Sequence, residues 1–95
     1  FIELVEDITV YNAFSPNGDF INEYFDIDNA DKYPEIIVEV YNRWGSMVFS
    51  SKGYSDEKRW DGTFKGKNVP VGTYYYVIIT SPEATPITGN VTIIR

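Results

Sequence analysis

Between Trp60 and Tyr76 the chain reads Trp-Asp-Gly-Thr-Phe-Lys-Gly-Lys-Asn-Val-Pro-Val-Gly-Thr-Tyr-Tyr-Tyr, with three of its seven glycines and its second tryptophan. Glycine is favoured where the backbone needs φ > 0 or a close approach, and proline fixes φ near −65°. This stretch therefore demands two tight turns, at Asp61–Gly62 and Lys65–Asn68, and a rigid start to a strand at Gly72. Elsewhere Val, Ile, Tyr and Phe dominate the apolar set, and these residues favour strands. No stretch of twelve residues carries the i, i+3, i+4, i+7 spacing of an amphipathic helix. Strands are expected at about 7–13, 23–28, 35–42, 46–51, 59–63, 72–80 and 87–94. Turn clusters such as Ser15-Pro16-Asn17-Gly18-Asp19 and Arg43-Trp44-Gly45 separate them. Seven short strands at this spacing predict an all-β fold, a single immunoglobulin-like antiparallel β-sandwich.

Two strands show their faces. Ile36, Val38 and Val40 alternate with Ile37, Glu39 and Tyr41, so one side of that strand is core. Thr73–Thr80 is apolar on both faces and reads as a central strand. With 95 residues, 43% of them hydrophobic and 17% aromatic, the chain suits one domain over 1–95 and is too apolar for a disordered tail. Residues 1–13 read either as the first strand or as the end of a linker. Starting at Phe1 without a methionine, the chain is expected to be a fragment or a processed product. Its last strand stops at Arg95 with no tail, which reads as a native C-terminus.

The net charge of −6 is unevenly spread. Residues 1–39 carry ten acids and one base, and residues 40–95 carry four acids and seven bases. An acidic chain of this kind is a poor match for nucleic acid or an anionic membrane, both of which need clustered cations. With no histidine and no cysteine, Ser-His-Asp triads, Cys-His dyads, disulfides and ordinary zinc sites are excluded. No phosphate-cradling glycine loop is present. The carboxylates of Asp26 and Asp28 share a strand face, but paired carboxylates need a deep cleft to act on glycosides. No catalytic residue is expected, and the chain does not read as an enzyme.

Two binding chemistries stay open on the residues alone. Asn17, Asp19, Asn22 and Glu23 offer hard oxygens at short spacing, as calcium prefers; the competing reading is an Asx turn, with Asn17 and Asp19 accepting local N–H groups. No other cofactor is expected. Trp44, Trp60, Tyr74, Tyr75 and Tyr76 form either a flat sugar-binding platform or core and edge aromatics of the sandwich.

Several motifs then fall in one order: Phe14-Ser-Pro-Asn-Gly-Asp19, Glu23-Tyr-Phe25, Tyr41-Asn-Arg-Trp-Gly45 with Val48-Phe49, Trp60-Asp-Gly-Thr63, Val69-Pro-Val-Gly-Thr-Tyr-Tyr-Tyr76 and Gly89-Asn-Val-Thr-Ile-Ile-Arg95. The series resembles the gliding-motility-associated C-terminal domain, the type B sorting domain of the type IX secretion system in Bacteroidota. The resemblance covers about Phe14 to Arg95. Two positions depart from it: Phe20 stands where the family has a glycine, and Glu23 where it has an aspartate, which puts the calcium reading in further doubt.

The resemblance implies a secretion signal at the end of a large exported cargo, an adhesin or a secreted enzyme. Such a signal is read from the periplasm by the export machinery and a PorP/SprF-type outer-membrane protein, and the cargo goes to the cell surface or the medium. The isolated domain is expected to be a monomer without catalysis. The surface expected to be read comprises Asn42, Arg43, Trp44, Gly45, Trp60, Asp61, Gly62, Thr63 and Arg95. The same residues also suit plain turn-shaping, by side-chain capping at Asn42 and Asp61 and positive φ at Gly45 and Gly62. Rival readings are a carbohydrate-binding or adhesive module and a passive spacer.

Overall fold

The computed structural model describes residues 8–18, 23–55 and 57–94. Its strands are β1 (Thr9–Val10), β2 (Ala13–Phe14), β3 (Ile27–Asp28), β4 (Ile37–Tyr41), β5 (Met47–Lys52), β6 (Thr63–Phe64), β7 (Lys67–Asn68), β8 (Gly72–Ile79) and β9 (Ile87–Ile93). A single 3-10 turn, Ala30–Lys32, is the only helical element among the described residues. The main sheet has the order β2-β9-β8-β4-β5, antiparallel throughout except for the parallel β2–β9 pair. β1 pairs with β3, and β6 with β7, in two small antiparallel sheets.

The all-β sandwich class holds, and the strands lie where alternation was clearest. Ile36, Val38 and Val40 are fully buried, and β8 is the central strand, with Tyr74, Tyr76 and Ile78 turned inward. Val91 and Ile93 of β9 and Phe14 of β2 complete the inner face. Opposite them, Phe25, Ile27, Ala30, Tyr54, Trp60 and Val69 close the core.

Three expected strands take another form. Of the expected strand 7–13, residue 7 lies outside the described residues and 8–13 changes sheets partway: Tyr11 N–H donates to the Asp26 carbonyl, while the Asn12 carbonyl accepts from Thr92 N–H on β9. The segments 23–28 and 59–63 are largely not ladder strands, because their backbone groups are taken elsewhere. Phe25 N–H donates to the Trp60 carbonyl at 2.9 Å, and the Tyr54 hydroxyl donates to the Phe25 carbonyl and accepts from Trp60 N–H. The turn expected at Lys65–Asn68 closes as a two-residue hairpin loop. Lys65 and Gly66 both have positive φ (55° and 83°), the type I′ geometry whose twist matches its flanking strands.

Between β4 and β5 the register shifts by one residue: Val40 faces Phe49, but Tyr41 faces Met47. Val48 is the extra residue of this bulge, which lets two successive side chains reach the core. Val48 is buried, and the Phe49 ring lies 6.1 Å from Tyr54 and 5.9 Å from Trp60.

Gly89 faces Tyr76 across the β8–β9 ladder. A Cβ at Gly89 would lie 2.4 Å from Tyr76 Oη and 2.7 Å from its Cζ. The Tyr76 ring cannot easily turn away, because it sits against Phe25 with centroids 5.6 Å apart. Gly89→Ala is therefore expected to destabilise the domain by ~1–3 kcal/mol, the usual cost of overfilling a core. An unchanged urea midpoint would show that the ring moves freely.

Candidate functional site

The β4–β5 connection is a turn that its first residue builds. Asn42 Oδ1 accepts from the N–H groups of Trp44 and Ser46, both at 2.9 Å. Asn42 N–H donates to the Ser46 carbonyl and Gly45 N–H to the Asn42 carbonyl. Gly45 sits at φ 83°, where a side chain would be strained. With the backbone held this way, Arg43 and Trp44 are pushed into solvent. Trp44 is 74% exposed, and the Arg43 guanidinium lies 4.4 Å from its ring centroid, a cation–π contact.

The second turn is built alike. Asp61 Oδ1 accepts from Thr63 N–H at 3.1 Å and from its hydroxyl at 2.6 Å, around Gly62 at φ 81°. Trp60, however, is 1% exposed. Its indole N–H donates to the Thr63 carbonyl at 2.9 Å, so the ring anchors the turn from below. Trp60 and the buried Gly62 are thus not available to an incoming partner, contrary to their inclusion in the expected contact surface. Large aromatic area is most stabilising inside a core, and that pull wins here. Asp61 is exposed and Thr63 half-buried. Arg95 lies outside the described residues.

The β6–β7 hairpin stands between the two turns. On one side Phe64 joins Asn42, Arg43, Trp44, Val69 and Val71 around a groove of about 380 Å³. On the other, Thr63 and Asn68 join Asp61, Glu23 and Tyr24 around a cavity of about 370 Å³. Phe64, Pro70 and Val71 were not expected at the surface site. Their signal in the sequence is faint: apolar residues beside Lys-Gly and Val-Pro turn dipeptides.

The sugar-platform reading loses three of its rings, because Trp60, Tyr74 and Tyr76 are buried; Trp44 and Tyr75 alone of that set are exposed. Of the calcium candidates, Asp19 and Asn22 lie outside the described residues. Glu23 accepts from Gly18 N–H at 3.0 Å, and Asn17 N–H donates to the Ser15 carbonyl, which are turn contacts. Among the described residues no group of three or more acidic, histidine or cysteine side chains is placed to hold a metal ion.

A further cavity, about 730 Å³, is lined by Asp26, Asp28, Asp31, Glu57 and Arg59, among others. Two of its carboxylates are engaged. Asp26 accepts from Arg59 at 2.8 Å, and Asp28 accepts from the Tyr11 hydroxyl, which raises the tyrosine's pKa. Arg59 also covers the Tyr24 ring at 4.1 Å. No helix among the described residues is long and apolar enough to cross a membrane.

A family model, the CHU_C type IX secretion signal domain, matches residues 8–93. No curated protein matches the chain.

Proposed function

The chain belongs to the type IX secretion signal domain family, and from that premise we propose that it works as a folded address at the C-terminus of a larger cargo, an adhesin or a secreted enzyme. The family match carries this reading. It spans residues 8–93, and therefore every described strand, which supports reading the whole sandwich, and not a short linear tag, as the signal. A type IX signal sends its protein across the outer membrane, to the cell surface or the medium. In the proposed route the cargo waits in the periplasm until the export machinery and a PorP/SprF-type outer-membrane protein read the domain. The domain contributes recognition and no catalysis.

An address that serves different cargoes must be read from its own surface. The exposed turn residues Arg43, Trp44, Gly45 and Asp61, with the half-buried Asn42 and Thr63, support that role, because the capping bonds around them fix their positions before a partner arrives. Such preorganisation lowers the entropy lost on binding.

The experiment is a reporter fused ahead of residues 1–95, produced in three hosts: one with the machinery and a cognate PorP/SprF-type protein, one lacking the machinery, and one lacking only that protein. The reporter is expected outside the cell in the first host alone. Export that ignores loss of the PorP/SprF-type protein would remove that partner from the account.

A further inference from the structure

We propose that the groove between the Asn42–Ser46 turn and the β6–β7 hairpin seats an acidic segment, carrying one apolar anchor residue, of the protein that reads the signal; this rests on the export reading above. The groove has the make-up of a binding site. Its floor is Val48, Val69 and Tyr74, all buried, and its walls are Trp44, Phe64 and Val71, at 74%, 42% and 59% exposure. Large apolar side chains gathered this openly mark an interaction site more often than an idle surface. At about 380 Å³ the groove lies in the ~300–1,000 Å³ range of clefts that take a ligand or an anchoring side chain.

Charge identifies the occupant. The chain as a whole has 14 acids against 8 bases, yet no carboxylate lines this groove. One cation, Arg43, lines it instead, and a second, Lys65, adjoins its Phe64 wall. The Arg43 guanidinium is held over Trp44, and the Lys65 ammonium lies 5.3 Å from the Phe64 centroid. Neither forms an ion pair with a described residue. Each is held by a ring that is itself a groove wall, so the positive rim is in place before binding. Carboxylates flanking an apolar anchor complement this pattern, and the opposite charge would be repelled. Trp and Arg are also the residue types that most often dominate interface energies.

A sugar fits less well, because hydroxyls need free hydrogen-bonding groups and two of the groove's oxygens are already engaged. Asn42 Oδ1 already accepts two N–H groups, and the Tyr74 hydroxyl donates to the Pro70 carbonyl at 2.6 Å.

The test places the photo-crosslinker p-benzoylphenylalanine at Val71 in the reporter fusion, in the host that exports it, and sequences the crosslinked segment. The expected segment has an apolar residue between aspartates or glutamates. Arg43→Glu with Lys65→Glu is expected to lower both crosslink yield and export about ten-fold or more, with an unchanged melting temperature. If that pair fails to fold, Arg43→Gln with Lys65→Gln removes the charges without reversing them and is expected to act in the same direction. A neutral or basic segment, a glycan adduct, or full export by a folded charge variant would overturn the proposal while the wild-type fusion is still exported. A wild-type fusion retained in the periplasm would instead overturn the export reading, and this one with it.

Discussion

Truncating Trp60 to alanine is expected to cost the domain ~3–5 kcal/mol, the usual range for a large buried aromatic. Domains of this size are held together by ~5–15 kcal/mol in all, so the variant would be largely unfolded or close to it. The number rests on what the ring touches. Phe14 and Tyr74 meet it edge-on, with centroids 5.6 and 5.7 Å away, and Phe49 lies tilted at 5.9 Å. These partners come from β2, β8 and β5, so one side chain joins three strands of the main sheet. Truncation would also leave the Thr63 carbonyl without its indole donor and slacken the Asp61–Thr63 turn. Urea unfolding followed by circular dichroism would measure the loss. A wild-type midpoint would mean that the core closes without the ring.

The next largest effect is expected at Tyr54. Its buried hydroxyl donates to the Phe25 carbonyl at 2.5 Å and accepts from Trp60 N–H at 2.9 Å. One oxygen thus satisfies two backbone groups in segments that form no ladder there. Tyr54→Phe leaves both unmet, and each unmet buried group costs ~1–3 kcal/mol. A loss of at least ~2 kcal/mol is expected from the two groups together, though the ring volume barely changes.

The same hydroxyl makes stability fall in alkali. Burial pushes the Tyr54 pKa well above its ordinary value of 10.0; the Trp60 N–H bond opposes this, Asp26 adds to it, and Arg59 opposes it. The folded pKa thus exceeds the unfolded one. The stabilisation is complete below about pH 10 and is lost as pH rises from there toward the folded pKa. Urea midpoints across this alkaline range should therefore fall more steeply for wild type than for Tyr54→Phe. Parallel curves would show that Tyr54 ionises as readily folded as unfolded.

The sequence makes the regular half of the fold legible. Ile36, Val38 and Val40 declare a buried face by alternation, and Thr73–Thr80 declares a central strand by being apolar on both sides. The capped turn at Asn42–Gly45 is also readable, because Asn and Gly have local reasons to sit there. The second layer is not readable in this way. Phe25 and Trp60 have strand-forming neighbours, but their backbone groups bond to each other and to Tyr54, pairings set by distant residues. Gly89 looks like an ordinary glycine until Tyr76 is placed opposite it. The groove is hidden for the same reason, since Trp44, Phe64 and Val71 are separated by many residues and meet only through the hairpin. Trp60 shows the limit of reading a motif as a surface: the Trp-Asp-Gly-Thr turn is real, and its tryptophan supports the turn from inside the core.

Wild type and Trp60→Ala together test whether a folded domain is what the secretion system reads. The decisive measurement is the fraction of a reporter found outside the cell when it is fused ahead of residues 1–95, in a host with the machinery and the cognate outer-membrane partner. The expected result is export with the wild-type sequence and retention with Trp60→Ala, although the variant keeps every exposed turn residue. Retention of the wild-type fusion in the periplasm would contradict the address itself. Equal export of an unfolded Trp60→Ala fusion would show that a linear segment, and not the sandwich, carries the signal.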